Sequence, residues 1–173
     1  MKVLLVHESW FGNGRAVVEH VARGISQFLG RGEVKVVAAN DAPVVLPDGL
    51  QALIVSSPTH ELSMPTPRTR QAAVDQGASG SVDFGLAEWI RAVEPVAELP
   101  VFAIDTCTKV SSFLGSASKA AVRALKQRGF AEAHRSPSFL VGGTVGPLGE
   151  GQLIKAELWG REFGQDLAGI TDN

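Results

Sequence analysis

Val3-Leu4-Leu5-Val6-His7-Glu8-Ser9-Trp10-Phe11-Gly12-Asn13-Gly14-Arg15 sets a short apolar run against a loop of small and polar residues, and a helical pattern follows it. The run from Val3 to Val6 is apolar at every position, which predicts a parallel strand covered on both faces, since half-exposed strands alternate. Gly12 and Gly14 permit a sharp turn and Asn13 tolerates one. Several backbone N–H groups are then left without partners at the start of the next helix. Such a loop suits an anion, because converging donors and the positive end of the helix dipole favour negative charge even without lysine. Taken alone, Gly-x-Gly is equally a tight turn between strand and helix.

Outward from this stretch the chain alternates. Val17, Val18, Val21, Ala22, Ile25, Phe28 and Leu29 recur at helical spacing, and Gly30 and Gly32 end that helix. Glu33 to Ala39 reads as a second, edge-type strand. Asn40 to Gly49 holds at most one helical turn. Leu53 to Ser57 is a third strand opening into a loop stiffened by Pro58 and Pro65. A short helix over Arg68 to Gln76 and a second marked by Phe84, Leu86, Trp89, Ile90 and Val93 follow. Val101 to Thr106 is the fourth strand, Cys107 to Gly115 a polar loop, and Ser116 or Ser118 caps the helix that Gly129 closes. Ser138 to Val141 is a short fifth strand, followed by a glycine-rich loop over 142–151. A final helix carries Leu153, Ala156, Trp159, Phe163 and Leu167. Trp89 and Trp159 are read as core.

Five strand–helix units predict a doubly wound α/β sheet in three layers with right-handed crossovers. Ligands in such sheets bind beyond the carboxyl ends of the strands, where strand order reverses, so the first, third and fourth strand loops should meet there. At 173 residues the chain is expected to be one domain, residues 1–173. With 16 Lys+Arg against 18 Asp+Glu, charge balance argues against a nucleic-acid or anionic-membrane partner. The first strand starts at once and no apolar run approaches a membrane span, so a cytoplasmic location is expected. The lone Cys107 fits a reducing compartment.

The first loop resembles the phosphate loop of the flavodoxin family, S/T-x-T/F-G-N-T, through Ser9-Trp10-Phe11-Gly12-Asn13, with Gly14 where threonine or serine is usual. Ser57-Pro58-Thr59-His60 with Met64 is similar to the G-P-T-H-x-x-x-M signature of a flavodoxin-like group, with Ser57 in place of glycine. Asp105-Thr106 and Gly115-Ser116-Ala117 look like that group's third loop. The resemblance spans essentially the whole chain and implies the short flavodoxin-like form, strand order 2-1-3-4-5.

It further implies FMN. Ser9, Asn13 and the N–H groups from Trp10 through Phe11, Gly12 and Gly14 to Arg15 would hold the phosphate. Ser57, Pro58, Thr59, His60 and Glu61 would lie along one face of the ring, with Thr106, Cys107 and Phe113 near the other. The sequence has no tyrosine, so the aromatic stack common in the family is absent, and His60, Phe113 or Trp10 would partly substitute. Trp10, in the phosphate loop, reads as a cover over the cofactor or as a piece of a contact surface rather than as core. His60 would tune a reduced flavin by a hydrogen bond or charge, and is equally an exposed loop histidine. Cys107 reads as a small buried hydrophobe. Nothing in the sequence tells Arg68 and Arg70 apart from ordinary surface charge.

Rival motifs are missing. A dinucleotide fingerprint needs a third glycine where Val17 stands and an acid ending the second strand, and a Walker loop needs Gly-Lys-Ser/Thr. A receiver domain needs acids where Ser56-Ser57 stand. The expected role is an FMN-binding electron carrier between a reductase and an acceptor protein. An FMN-dependent NAD(P)H:quinone or nitro reductase is one alternative and a flavin-free binding module another. A deazaflavin in place of FMN is also open.

Overall fold

The computed structural model describes residues 1–171, and the side chains of all of these except residues 112, 113, 170 and 171. The strands are β1 (Val3–His7), β2 (Val34–Ala38), β3 (Ala52–Pro58), β4 (Val101–Cys107) and β5 (Ala133–Leu140). They form one five-stranded parallel sheet in the order β2-β1-β3-β4-β5. The helices are α1 (Asn13–Leu29), α2 (Pro67–Asp75), α3 (Leu86–Ala92), α4 (Ser111–Leu114), α5 (Ala117–Arg128) and α6 (Gln152–Thr171).

Strand alternation sorts the core into two layers. Val3, Leu5 and Ile54 face α1 and α6, where Val17, Val21, Ile25, Ala156 and Phe163 cover them. Leu4, Val6, Leu53 and Val55 face α3 and α5, meeting Leu86, Trp89, Ala121 and Leu125. Because β1 and β3 are buried on both faces, their runs carry no polar alternation. The edge strand β2, with exposed Lys35, is only half covered. Trp89 is fully buried and its indole donates to Pro43 O at 3.1 Å, so a core position leaves no orphan donor. Trp159 is half-buried against Phe163.

As expected, the connection between β2 and β3 has no crossover helix, only a 3-10 turn over Ala39–Asp41. The structure departs from the sequence expectations in two places. The loop after β4 contains a helical turn, α4, fixed by mutual hydrogen bonding of Thr108 and Ser111. β5 begins at Ala133 rather than Ser138, because its His-Arg-Ser-Pro half lies at the sheet edge, where polar side chains and a proline are tolerated. No described helix is long and apolar enough to cross a membrane.

Candidate functional site

The chain turns out of β1 through Gly12, whose φ of 83° lies in the left-handed region. Glycine occupies this conformation without the strain any other residue would carry. Gly12 caps α1 without a side-chain bond. Ser9 Oγ instead accepts from Arg15 N at 3.2 Å, folding the loop back onto the helix start. Gly14 is buried against the loop, where a Cβ would stand 3.3 Å from Glu8 O and 3.5 Å from Ser9 Oγ. A threonine here would crowd that turn, which explains why this loop closes without the extra hydroxyl. The N–H groups of Phe11, Gly12, Asn13 and Gly14 have no protein acceptor among the described residues. They sit at the N-terminus of a 17-residue helix.

This loop forms one end of a cleft of about 310 Å³ at the carboxyl edge of the sheet, a size within the range of small-molecule sites. Ser9, Trp10, Phe11, Asn13 and Gly14 line it from the first loop, Pro58, Thr59, His60 and Glu61 from the loop after β3, and Thr106 from β4. Thr59 ties these loops together. Its N–H donates to Thr106 O at 2.8 Å, and its Oγ1 accepts from Ala117 N at 3.0 Å. Behind them, Asp105 is fully buried, and its Oδ2 accepts from Ser118 N at 2.8 Å at the positive end of α5.

Four expected site residues are placed differently. Gly12 shapes the loop but does not line the cleft. Arg15 points away, because its guanidinium pairs with Glu19 at 2.8 Å along the exposed face of α1. Ser57 and Cys107 are buried under their loops. Burial first, then the Asp105 carboxylate, hold the Cys107 thiol above its ordinary value, so it stays protonated as a packed small side chain. The side chain of Phe113 lies outside the described residues. Asn13 lines the cleft, yet its amide donates to Val145 O at 2.9 Å and so anchors the loop after β5.

Trp10 requires a correction. It is only 8% exposed, and its Nε1 donates to Glu8 Oε1 at 2.8 Å. It packs beneath Gly80, where a Cβ would stand 3.0 Å from the ring. A buried carboxylate satisfies the indole N–H, and that makes an aromatic in this loop core rather than cover.

Glu8 is the hub of a network the sequence does not announce. Its Oε1 accepts from Arg70 Nε at 2.9 Å and its Oε2 from Leu86 N at 2.8 Å. Arg70 is 0% exposed. It also donates to Glu88 Oε2 at 2.6 Å and to Val82 O at 3.3 Å. Against the opposing effect of burial, this guanidinium holds Glu88 below its ordinary pKa. The network joins the end of β1 to α2 and α3, so it ties the first loop to the α2 wall of the cleft.

That wall was also missed. Thr69, Ala72, Ala73 and Gln76 line the cleft along one face of α2, with Arg68 at its mouth paired to Glu61. Their spacing is helical, but short and polar side chains give it no hydrophobic signal. Thr66 and Thr69 form a reciprocal cap, with Pro67 in the first turn, that fixes where α2 begins.

Burial, and next the Arg15 guanidinium, lower the pKa of His7 from its ordinary 6.5. Burial lowers His60 likewise, against the pull of the Glu8 carboxylate. Both imidazoles are neutral at neutral pH, so His60 offers the cleft a hydrogen bond rather than a charge. Because the unfolded chain binds these protons first, stability is full above pH 6.5 and falls as pH drops through the window below it. Thermal midpoints should therefore be higher at about pH 7.5 than at about pH 5.5, and His7→Gln with His60→Gln should flatten the slope. An unaltered slope in the double variant would contradict this assignment.

No protein-family model matches the chain, and no curated protein matches it. Solved structures do. The chain is similar to a flavodoxin from the domain Archaea, with a TM-score of 0.62 and 18% identity over 96% of this chain and 99% of that one. Flavodoxin 2 from Bacillus cereus, in its oxidised form, gives 0.59 and 14% over 96% and 99%. Rubredoxin oxygen:oxidoreductase from Desulfovibrio gigas gives 0.60 and 14% over 97% of this chain and 36% of that one, so the chain spans about a third of its length. At these identities the likeness shows the fold, which is flavodoxin-like.

Proposed function

We propose that this chain of flavodoxin-like fold binds FMN noncovalently in the cleft and carries electrons between protein partners. The observation that supports this most is the set of four adjoining N–H groups, from Phe11 to Gly14, without protein acceptors at the start of α1. Phe11, Asn13 and Gly14 among them line a cleft of fitting volume. A phosphate group satisfies such donors, and the helix dipole adds to its binding. The residues present therefore fit the group.

In this reading the Phe11 to Gly14 N–H groups hold the phosphate, and Ser9 and Asn13 hold the loop in shape. Pro58, Thr59 and His60 border the ring site, where neutral His60 holds or donates a proton without adding charge. Bound FMN would supply reversible electron uptake at neutral pH. The Glu8–Arg70 pair excludes water beneath the loop and keeps its donors aligned. The chain has no tyrosine to stack on the ring, and among the described residues the ring would border Pro58, Thr59 and His60.

Two experiments test the proposal. Gly12→Val forces a β-branched residue into the left-handed region, at a cost of about 1–3 kcal/mol, and should weaken FMN binding roughly tenfold or more. Unchanged flavin content would count against the loop as the phosphate site. The cleft's extension along α2 favours a second reading, a reductase that holds another substrate beside the ring. A carrier should not oxidise NAD(P)H unaided, so sustained NAD(P)H oxidation by the purified, FMN-loaded chain would establish that second reading instead.

A further inference from the structure

The loop after β3 and the helix α5 form a surface beside the cleft whose chemistry differs from the rest of the molecule. α5 carries Lys119, Arg123, Lys126 and Arg128 and no acid, in a chain whose net charge is −2. Lys119, Arg123 and Lys126 are exposed, and none is ion-paired among the described residues. Arg128 is turned inward to Val93 O at 2.9 Å. Glu61, an acid of the adjoining loop, is engaged by Arg68. The three outward cations thus present positive charge that no ion pair among the described residues neutralises.

Two large apolar side chains stand next to them. Leu62 is 44% and Leu114 67% exposed. Glu61 and Leu62 form the tip of a tight turn bridged from His60 to Ser63, with φ of 48° and 65°. Two consecutive non-glycine residues in the left-handed region are uncommon and strained. The turn seats Leu62 over Gly115, where a Cβ would lie 2.9 Å from Leu62 O. Leu62, Leu114, Lys119 and Arg123 line one shallow groove of about 330 Å³. An exposed apolar pair rimmed by cations has the layout of a protein contact, with an apolar centre and a charged rim. It is also continuous with the cleft, since Thr59 and Ala117 are bonded across the boundary.

We propose that this surface docks an acidic-faced electron-carrier protein, which is oxidised by one electron per encounter as the flavin beside it is reduced by one; an acidic ferredoxin serves as the probe. This rests on the flavin reading only for the electron's destination. The docking itself needs no cofactor. A basic carrier would be repelled by the three cations, and a flat membrane surface would leave the shallow groove unfilled. Complementary charge would act mainly on encounter rate and partner choice.

The test is a binding titration of the chain, with and without FMN, against a plant-type [2Fe–2S] ferredoxin, with cytochrome c as the basic comparison. Association with ferredoxin should be measurable at about 10 mM salt, where screening reaches only beyond about 30 Å, and should weaken at least about tenfold by 150 mM. Lys119→Glu/Arg123→Glu should weaken it about tenfold or more at low salt, and Leu62→Ser should weaken it at both salt concentrations. The FMN affinity of each variant, measured alongside, reports on the integrity of the fold and the cleft. Failure of ferredoxin to bind, binding unaffected by charge reversal, or tighter binding of cytochrome c would overturn the proposal. So would retention on phosphatidylserine vesicles without ferredoxin binding. Loss of FMN binding with ferredoxin docking intact would instead overturn the flavin reading and leave this one standing.

Discussion

Arg70→Met should lower the free energy of unfolding by about 3–5 kcal/mol, a fall in thermal midpoint of roughly 6–20 °C for a chain of this size. Arg70 is fully buried, and the substitution strands the Glu8 carboxylate, itself buried, among the Leu86 N–H and the Trp10 indole. Two neutral donors do not compensate a buried charge. Glu88 suffers less, because it keeps Gly85 N at 3.0 Å and Arg91 at 3.2 Å. Glu8→Gln/Arg70→Met removes both charges and should recover about half of the loss or more, since a buried pair is far weaker as a net contribution than as a broken half. Chemical denaturation of the three proteins at neutral pH measures the cycle. An Arg70→Met protein within about 1 kcal/mol of the parent would show that the pair is not buried in solution.

The second large effect lies on the opposite face of the sheet. α1 and α6 touch backbone to backbone through Gly24, Gly160 and Gly164. A Cβ at Gly24 would stand 2.7 Å from Arg161 N, at Gly160 3.0 Å from Val21 Cα, and at Gly164 2.9 Å from Ile25 Cα. These are main-chain atoms, which cannot swing aside as a side-chain tip does. Gly160→Ala gains about 1 kcal/mol of helix propensity, yet it must push the packed helices α1 and α6 apart and should destabilise by about 2–3 kcal/mol net. Gly169→Ala, in the same helix with nothing within 4 Å of its Cβ position, should stabilise by about 0.5–1 kcal/mol. Opposite signs from one substitution in one helix separate close packing from propensity. Matching signs would refute the close approach.

The architecture was legible because β1, β3 and β4 are buried on both faces and so read as unbroken apolar runs, and because glycines mark the ends of α1 and α5. The polar half of β5 was not, since His134 and Arg135 resemble a loop until β4 is there to pair with them. The site was legible in its loops, where residue types at fixed offsets carry the pattern. It was illegible where function depends on distant partners. Arg70 finds Glu8 from 62 positions away, and nothing local distinguishes it from Arg68, two residues earlier and exposed. The one available signal was Glu8 itself, an acid set directly after an apolar strand, which demands a partner if the strand's end is buried. The same partner explains Trp10, which looked exposed only because its hydrogen-bond acceptor was unseen.

Titration of the purified chain with FMN, followed by quenching of flavin fluorescence, tests the central claim most directly. The account predicts saturable binding at one site per chain, with a dissociation constant in about the micromolar range or tighter, weakened in Gly12→Val and opposed by inorganic phosphate competing for the N–H groups of the first loop. Absence of quenching at high FMN, with the chain shown to be folded, would contradict it.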